Sequence, residues 1–298
     1  MKTTIITHPG RAHRDDFLAV CWLLGDVITP PEVYRREPSQ ADLDDATVYV
    51  LDIGGRYDPS FRNFDHHQFP ADSPPTCALQ LLLEHDLGLT EAHEAFPWLY
   101  TTGLIDSKGI VAAAAHYGVP LKLFSKGGSP VESMMLEWFA SVSFLNSKHV
   151  LHQVMTNIGL SMWERATHFN AAKDQVNVEL RRESHNSTLF DILVADEATK
   201  HMTYPTYLPE IMELNCKAAV AQGADPIASI SPSVDGRGEG WTLYRYNDNK
   251  CIDFKLIRNH PKVTFVHANG FLAKVNTDVT RDELIEMVKL SYITPMFS

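Results

Sequence analysis

The chain predicts an α/β fold, in which a domain built on a parallel sheet is followed by a smaller α+β domain. Two observations predict it. First, β-branched runs that end in polar residues, Thr3–Thr7 and Val48–Ile53, read as short buried strands bounded by turn formers. Second, helical periodicity dominates from residue 76, and past residue 180 it gives way to short strands and turns. The boundary is therefore placed near residue 180, giving domains 1–180 and 181–298.

Taken in order, Thr76 to Leu87 reads as a helix closed by Gly88. Ser129-Pro130-Val131-Glu132 is a capping box with proline at the first helical position, and it opens a helix from Met134 to Leu145. A long helix follows from about 149 to 180. It lacks internal proline and ends near Arg181-Arg182, whose charges suit a helix C-terminus; the alternative is that this pair touches a substrate phosphate. Phe190–Ala195, Pro226–Ile230, Trp241–Tyr246 and Lys262–His267 then read as strands, with Asp235–Gly240 as a hairpin loop. The glycines at 236, 238 and 240 join two strands with no helix behind them, so they form no nucleotide fingerprint. Gly127-Gly128 lacks a P-loop lysine, so ATP binding is not indicated.

Composition fits a soluble cytoplasmic enzyme. With 298 residues, 44% hydrophobic and 21% charged, the chain is globular in type and long enough for two domains. No transmembrane stretch or secretory signal is visible. Cys21, Cys77, Cys216 and Cys251 are widely spaced in apolar surroundings and read as buried reduced thiols. A net charge of −11 argues against a protein that coats nucleic acid, because nonspecific affinity needs many Lys and Arg contacts to phosphate. It leaves room for a nuclease, since divalent ions restore positive potential locally. Short or single-stranded substrates are expected.

The chemistry concentrates in three segments: His8, His13, Asp15 and Asp16; Asp52 at the end of its apolar run; and Asp65-His66-His67, which begins 13 residues after Asp52. The first two clusters follow strand C-termini, the edge where open α/β sheets bind ligands. A mixed His/Asp set suits Mn²⁺, with Mg²⁺ as the harder-ligand alternative. Two such ions about 3.5–4 Å apart can share a carboxylate and activate water for in-line phosphoryl displacement. Asp52 is the candidate for the shared ligand. Asp16 has the plainer reading of favouring a helix start, and Asp58 before Pro59 that of a turn residue.

Four segments carry a resemblance: Thr7–Asp16, Asp52–Pro59, Phe64-Asp65-His66-His67-Gln68, and Phe265-Val266-His267-Ala268-Asn269-Gly270-Phe271. In this order they resemble the melanocyte-proliferating-gene family, a branch of the DHH phosphoesterase superfamily. The resemblance implies a Rossmann-like DHH domain with a parallel sheet, and a smaller C-terminal domain closing over the cleft. It implies metal ligands at His8, His13, Asp15, Asp52, His66 and Asp106, with His13 standing where most of the superfamily has an aspartate. It also implies that His67 faces the scissile phosphate, that Asp65 orients a ligand histidine, and that His267 and Gly270 grip substrate. His67 and Asp106 keep the alternative of purely structural roles, and so do His267 and Gly270 as a strand cap and a turn.

The activity so implied is a Mn²⁺-dependent 3′ to 5′ exonuclease that acts on RNA or short single strands and releases nucleoside 5′-monophosphates. The alternatives are a small-molecule phosphoesterase for dinucleotides or pyrophosphate-like compounds, and a non-catalytic metal- or nucleotide-binding protein. A homo-oligomer is compatible with the sequence. The chain departs from the family pattern at Ala12, at Thr76-Cys77-Ala78-Leu79 and at Leu272-Ala273-Lys274; none of these is a proposed metal ligand.

Overall fold

A computed structural model describes residues 3–26, 30–126, 128–234 and 239–294. The expected features at Gly127 and at positions 235–238 of the hairpin loop lie outside the described residues. The chain divides into two compact units, Met1–Thr167 and His168–Ser298.

The first unit runs β1 (Thr4–Thr7), α1 (Arg14–Gly25), β2 (Glu32–Arg35), α2 (Gln40–Leu43), β3 (Val48–Leu51), β4 (Tyr57–Asp58), β5 (Asn63–Phe64), α3 (Ala78–Leu87), α4 (Leu89–Ala95), α5 (Leu99–His116), α6 (Leu121–Lys126), α7 (Pro130–Ala140) and β6 (Phe144–Leu145). Helix α8 (Val150–Lys173) follows and contains the division between the units. The sheet order is β4-β5-β3-β1-β2-β6. Within it β5, β3, β1 and β2 are parallel neighbours. Ile5 and Ile6 of β1 are both fully buried, as expected of a central parallel strand covered on two faces. Because β1 leads to β2 on one side and pairs with β3 on the other, the strand order reverses beside β1. A ligand crevice belongs at that point.

Helix α1 is held close to α8 by two glycines. A Cβ on Gly159 would meet the Cys21 carbonyl at 1.8 Å, and one on Gly25 would meet Gly159 at 2.3 Å. Trp22 and Trp163 stack nearby with ring centroids 3.9 Å apart. This packing holds the C-terminal half of α1, while the acids sit in its first turn.

The second unit contains β7 (Val178–His185), β8 (Thr188–Ala195), α9 (Leu208–Ala221), β9 (Pro226–Pro232), β10 (Trp241–Arg245), β11 (Val263–Val266), β12 (Leu272–Val275) and α10 (Arg281–Leu290). Its sheet, β11-β12-β10-β9-β8-β7, is antiparallel except for the β8/β9 pair. One face forms the core with α10, through Ile192, Ile230, Leu243, Val275, Leu284 and Val288.

Several expected boundaries shift. The long helix stops at Lys173, and Arg181 and Arg182 lie in β7 instead of at a helix end. The chain there alternates and turns back through Asn186-Ser187, both at positive φ (49° and 65°), as a two-residue hairpin requires. Helix α7 ends at Ala140, because Phe144 and Leu145 pair with β2. Cys251 is only partly buried, while the other three thiols are buried and free. Among the described residues no helix is long and apolar enough to cross a membrane.

Candidate metal centre

Three neighbouring parallel strands deliver the site. β1 ends into His8, β3 into Asp52, and β5 into Asp65-His66-His67. The start of α1 adds His13, Asp15 and Asp16, and α5 adds Asp106, three residues before its break at Gly109. All six expected metal ligands therefore lie at one sheet edge. With His67 they form three overlapping sets that could hold a metal ion: His8, His13 and Asp52; Asp52, His66 and His67; Asp15, Asp52, His66 and Asp106, with ligand atoms in each set within 4.8 Å of one another. Asp52 belongs to every set.

Asp52 takes a left-handed conformation, φ 58°, which an aspartate tolerates better than most side chains. Its amide donates to the Phe64 carbonyl at 3.0 Å, so the turn is tied to β5. The side chain is 3% exposed, with Oδ1 3.2 Å from His66 Nε2 and Oδ2 3.5 Å from His8 Nε2. Asp106 Oδ2 lies 2.8 Å from the same His66 nitrogen, and Asp106 Oδ1 lies 3.7 Å from His13 Nδ1.

The donor set fits a divalent cation. Both Asp15 carboxylate oxygens are buried without a hydrogen-bond partner, and His8 Nε2, Asp16 Oδ2, Asp52 Oδ1 and His66 Nε2 are buried with only one another, Asp106 or Arg35 as charged neighbours. Buried polar atoms are rarely left so, and a cation shared by carboxylates and neutral imidazoles satisfies them together. The electrostatics agree. Burial, then Asp52 and Asp106, push the Asp15 carboxyl well above its ordinary range. Burial alone would lower His66, but the Asp106 and Asp52 carboxylates outweigh it and raise the ring to about 10. Protons here stand in for missing positive charge, and a metal competes with them.

Asp65 acts on His67. Burial favours its neutral form, but the His67 ring and the His67 and Gly55 amides outweigh this and hold the carboxyl below its usual range. Oδ1 is 2.7 Å from His67 Nδ1 and accepts from the His66 and His67 amides, while Oδ2 accepts from the Gly55 amide at 2.7 Å. The ring that Asp65 orients is thus His67, not the expected ligand histidine. The His67 side chain is 63% exposed. It lines a cleft of about 510 Å³ with His8, His13, Asp52, Gly55 and Gln68.

Two residues exceed their sequence reading. Asp16 does start the helix, its Oδ1 accepting from the His13 amide at 2.7 Å. Its Oδ2, however, lies 3.3 Å from His8 Nε2 and 3.6 Å from Arg35. Burial pushes Asp16 up to about 7 against the pull of His8, the His13 amide and Arg35. Arg35, 4% exposed, also donates to the Gly10 and Phe139 carbonyls, pinning the loop that carries His8 and His13. Nothing in the sequence sets Arg35 apart from its neighbour Arg36 at the end of a short strand. Asp58 is a turn residue as read, capping Ser60.

In the second unit His267 is half-buried, and its Nδ1 accepts from the Asn269 amide at 3.1 Å. Gly270 is at φ 69°, where a Cβ would meet Asp253 Oδ1 at 1.9 Å. Packing alone therefore requires glycine there.

Comparison with known proteins points at the same N-terminal segment. Residues 4–73 match the family model MYG1_exonuc, described as an uncharacterised protein family (UPF0160). A "MYG1 protein" of Chlamydia trachomatis serovar D is 31% identical over 99 residues, covering 32% of this chain and 33% of the relative. The chain thus spans about a third of the length of the curated relative it matches. Among solved structures, a pGpG-specific phosphodiesterase from Vibrio cholerae aligns at 12% identity over 97% of this chain and 99% of the other, with a TM-score of 0.26. A Methanococcus jannaschii structure assigned to the family II inorganic pyrophosphatases aligns at 11% over the same shares, with a TM-score of 0.24. Scores this low carry no argument. Asp106, His267 and Gly270 lie outside the matched segment, whereas His8, His13, Asp15, Asp52 and the Asp65-His66-His67 string lie inside it, so the chain's similarity to the MYG1 family rests on those N-terminal residues.

Proposed function

We propose that the chain is a metal-dependent phosphodiester hydrolase, acting as a 3′ to 5′ exonuclease on RNA or short single strands and releasing nucleoside 5′-monophosphates. The observation that carries this reading is the sharing of Asp52 by all three ligand sets at one sheet edge. His8, His13 and Asp52 would hold one ion, and Asp15, Asp52, His66 and Asp106 the other, Mn²⁺ being favoured by the mixed imidazole and carboxylate donors. Bound ions supply charge neutralisation at the scissile phosphate and a water of lowered pKa.

The protein's own part is orientation and proton placement. Asp65 engages His67 Nδ1 and directs Nε2 into the cleft. With Nδ1 so engaged, the neutral ring offers Nε2 as an acceptor, and only the protonated ring offers it as a donor. Stabilisation of developing phosphate charge by His67 therefore requires the protonated ring. Asp16 and Arg35 keep the His8–His13 loop against the carboxylates.

Turnover of short oligonucleotides, dinucleotides and pyrophosphate, each with Mn²⁺, Mg²⁺ and chelator, tests the proposal. Metal-restored release of nucleoside 5′-monophosphates from oligonucleotide ends supports it. Preference for dinucleotides or pyrophosphate gives the small-molecule phosphoesterase instead, and no turnover of any substrate with metal bound gives a binding protein.

A further inference from the structure

The second unit encloses a cavity of its own, about 690 Å³, between α9 and the sheet. Its origin is in the strand alternation. On β10, Trp241 and Leu243 join the apolar core, while Thr242 and Tyr244 point to the opposite face; on β12, Ala273 and Val275 join the core, while Leu272 and Lys274 point away. Thr242 pairs with Ser231 on one side and Lys274 on the other, and Tyr244 pairs with Ser229 and Leu272. The face under α9 therefore carries two cross-strand rows, Ser231-Thr242-Lys274 and Ser229-Tyr244-Leu272. Lys274 Nζ donates to Thr242 Oγ1 at 2.8 Å and to Ser233 Oγ at 3.4 Å.

A face that served only to pack a helix would be aliphatic, like the core face of the same strands. Here hydroxyls and an ammonium group replace the aliphatics, at one of the positions where the chain departs from the family pattern. Tyr246 and Asn247 line the same cavity, Asn247 at a positive φ of 49°. The helix side brings Cys216 and the Lys217–Glu213 ion pair, 2.7 Å. Burial, then Glu213, push the Cys216 thiol up to about 12, so the cavity offers no thiolate nucleophile and is suited to binding.

We propose that this cavity binds a small ligand that joins one anionic group to a planar ring, of the nucleoside monophosphate class, with the anion on the Ser231-Thr242-Lys274 row and the ring against Tyr244 and Tyr246. The two rows are two residues apart, roughly 6.5 Å along the strands. That separation suits a phosphate and a ring held on a sugar. The cavity is lined by residues of the second unit alone and by none of the proposed metal ligands, so the proposal does not rest on the proposed hydrolysis.

Calorimetric titration of the full chain in chelator with AMP, adenosine and inorganic phosphate tests this. AMP should bind more tightly than either fragment. Lys274→Met should weaken AMP about tenfold or more and leave adenosine nearly unchanged, with Lys274→Arg keeping most of the affinity. Ser231→Leu, which fills the anion row, should abolish AMP binding while thermal melting shows an intact fold. Asp52→Asn should bind AMP as the parent does. Absence of AMP binding, equal binding by Lys274→Met, or adenosine binding as tightly as AMP overturns the proposal. AMP binding lost in Asp52→Asn overturns it as well and moves the ligand to the metal centre.

Discussion

Asp15 in the first unit and Asp191 in the second are both buried carboxylates, and they are treated oppositely. Asp191 accepts from Arg182 Nε at 2.9 Å, from a second Arg182 nitrogen at 3.1 Å and from the Asp225 amide at 3.0 Å. Arg182 holds its carboxyl below the ordinary range. Asp15 has no hydrogen-bond partner on either oxygen, and burial first, then the neighbouring Asp52, Asp106 and Asp16, drive its carboxyl upward. A buried acid that is satisfied belongs to the scaffold. One left unsatisfied among its own kind marks a place built for a cation.

The sharpest way to break this contrast is to neutralise one acid of each kind. Asp52→Asn should lower kcat/KM by about 10³-fold or more and reduce the bound metal measured by plasma emission, because one substitution weakens both ion sites. Asp191→Asn should leave metal content and turnover alone and cost roughly 1–3 kcal/mol in a denaturant melt. If both variants behave alike, the contrast does not distinguish site from scaffold.

His67 sharpens the comparison within the first unit, since it sits beside the acids yet is mostly exposed. His67→Ala should retain both metals and slow the chemical step by about 10²–10³-fold. Metal loss in this variant would make His67 a ligand, as its place in one of the three sets allows.

The two kinds of acid also differ in pH sign. Asp15 and Asp16 have raised folded-state pKa values, Asp16 at about 7, and His66 is raised to about 10. Raised values mean that the metal-free fold holds protons the unfolded chain releases. Stability from these groups is present at low pH and is lost as pH rises from about 4 toward 10. Asp191, with a lowered value, contributes above the ordinary carboxylate range and loses its contribution as pH falls. In chelator, Asp15→Asn should therefore raise the melting temperature more at pH 8 than at pH 5, and Mn²⁺ should stabilise the parent more at the higher pH. A pH-independent gain from Asp15→Asn would mean that its carboxyl is not strained by burial.

Sequence alone located the two strands that carry His8 and Asp52, because β-branched runs ending in polar residues leave little else to read. It placed His13, Asp15, His66 and Asp106 by resemblance, and these converge. It missed β7, since Arg181-Arg182 suited a helix end and the hairpin at Asn186-Ser187 lacks the glycine that usually marks such a turn. It grouped Asp16 with the site residues but gave it mainly to the helix start. A carboxylate's second oxygen can be assigned only once the residues packed against it are known, and here those are His8 and Arg35 from separate strands.

The smallest effect is expected at His267. With Nδ1 accepting from the Asn269 amide, its Nε2–H is the ring's remaining donor, and the ring lies 4.1 Å from Phe271, centroid to centroid. Both are features of a donor held ready for a phosphate or a base. They also suffice for a local turn, in which Gly270 is already required by Asp253. A substrate contact made equally in the ground and transition states appears in KM. His267→Ala should therefore raise KM for short oligonucleotides severalfold, leave kcat within about twofold, and leave metal content unchanged. His267→Gln, which keeps a donor, should recover part of the loss. Unchanged KM in His267→Ala would assign the residue to the turn.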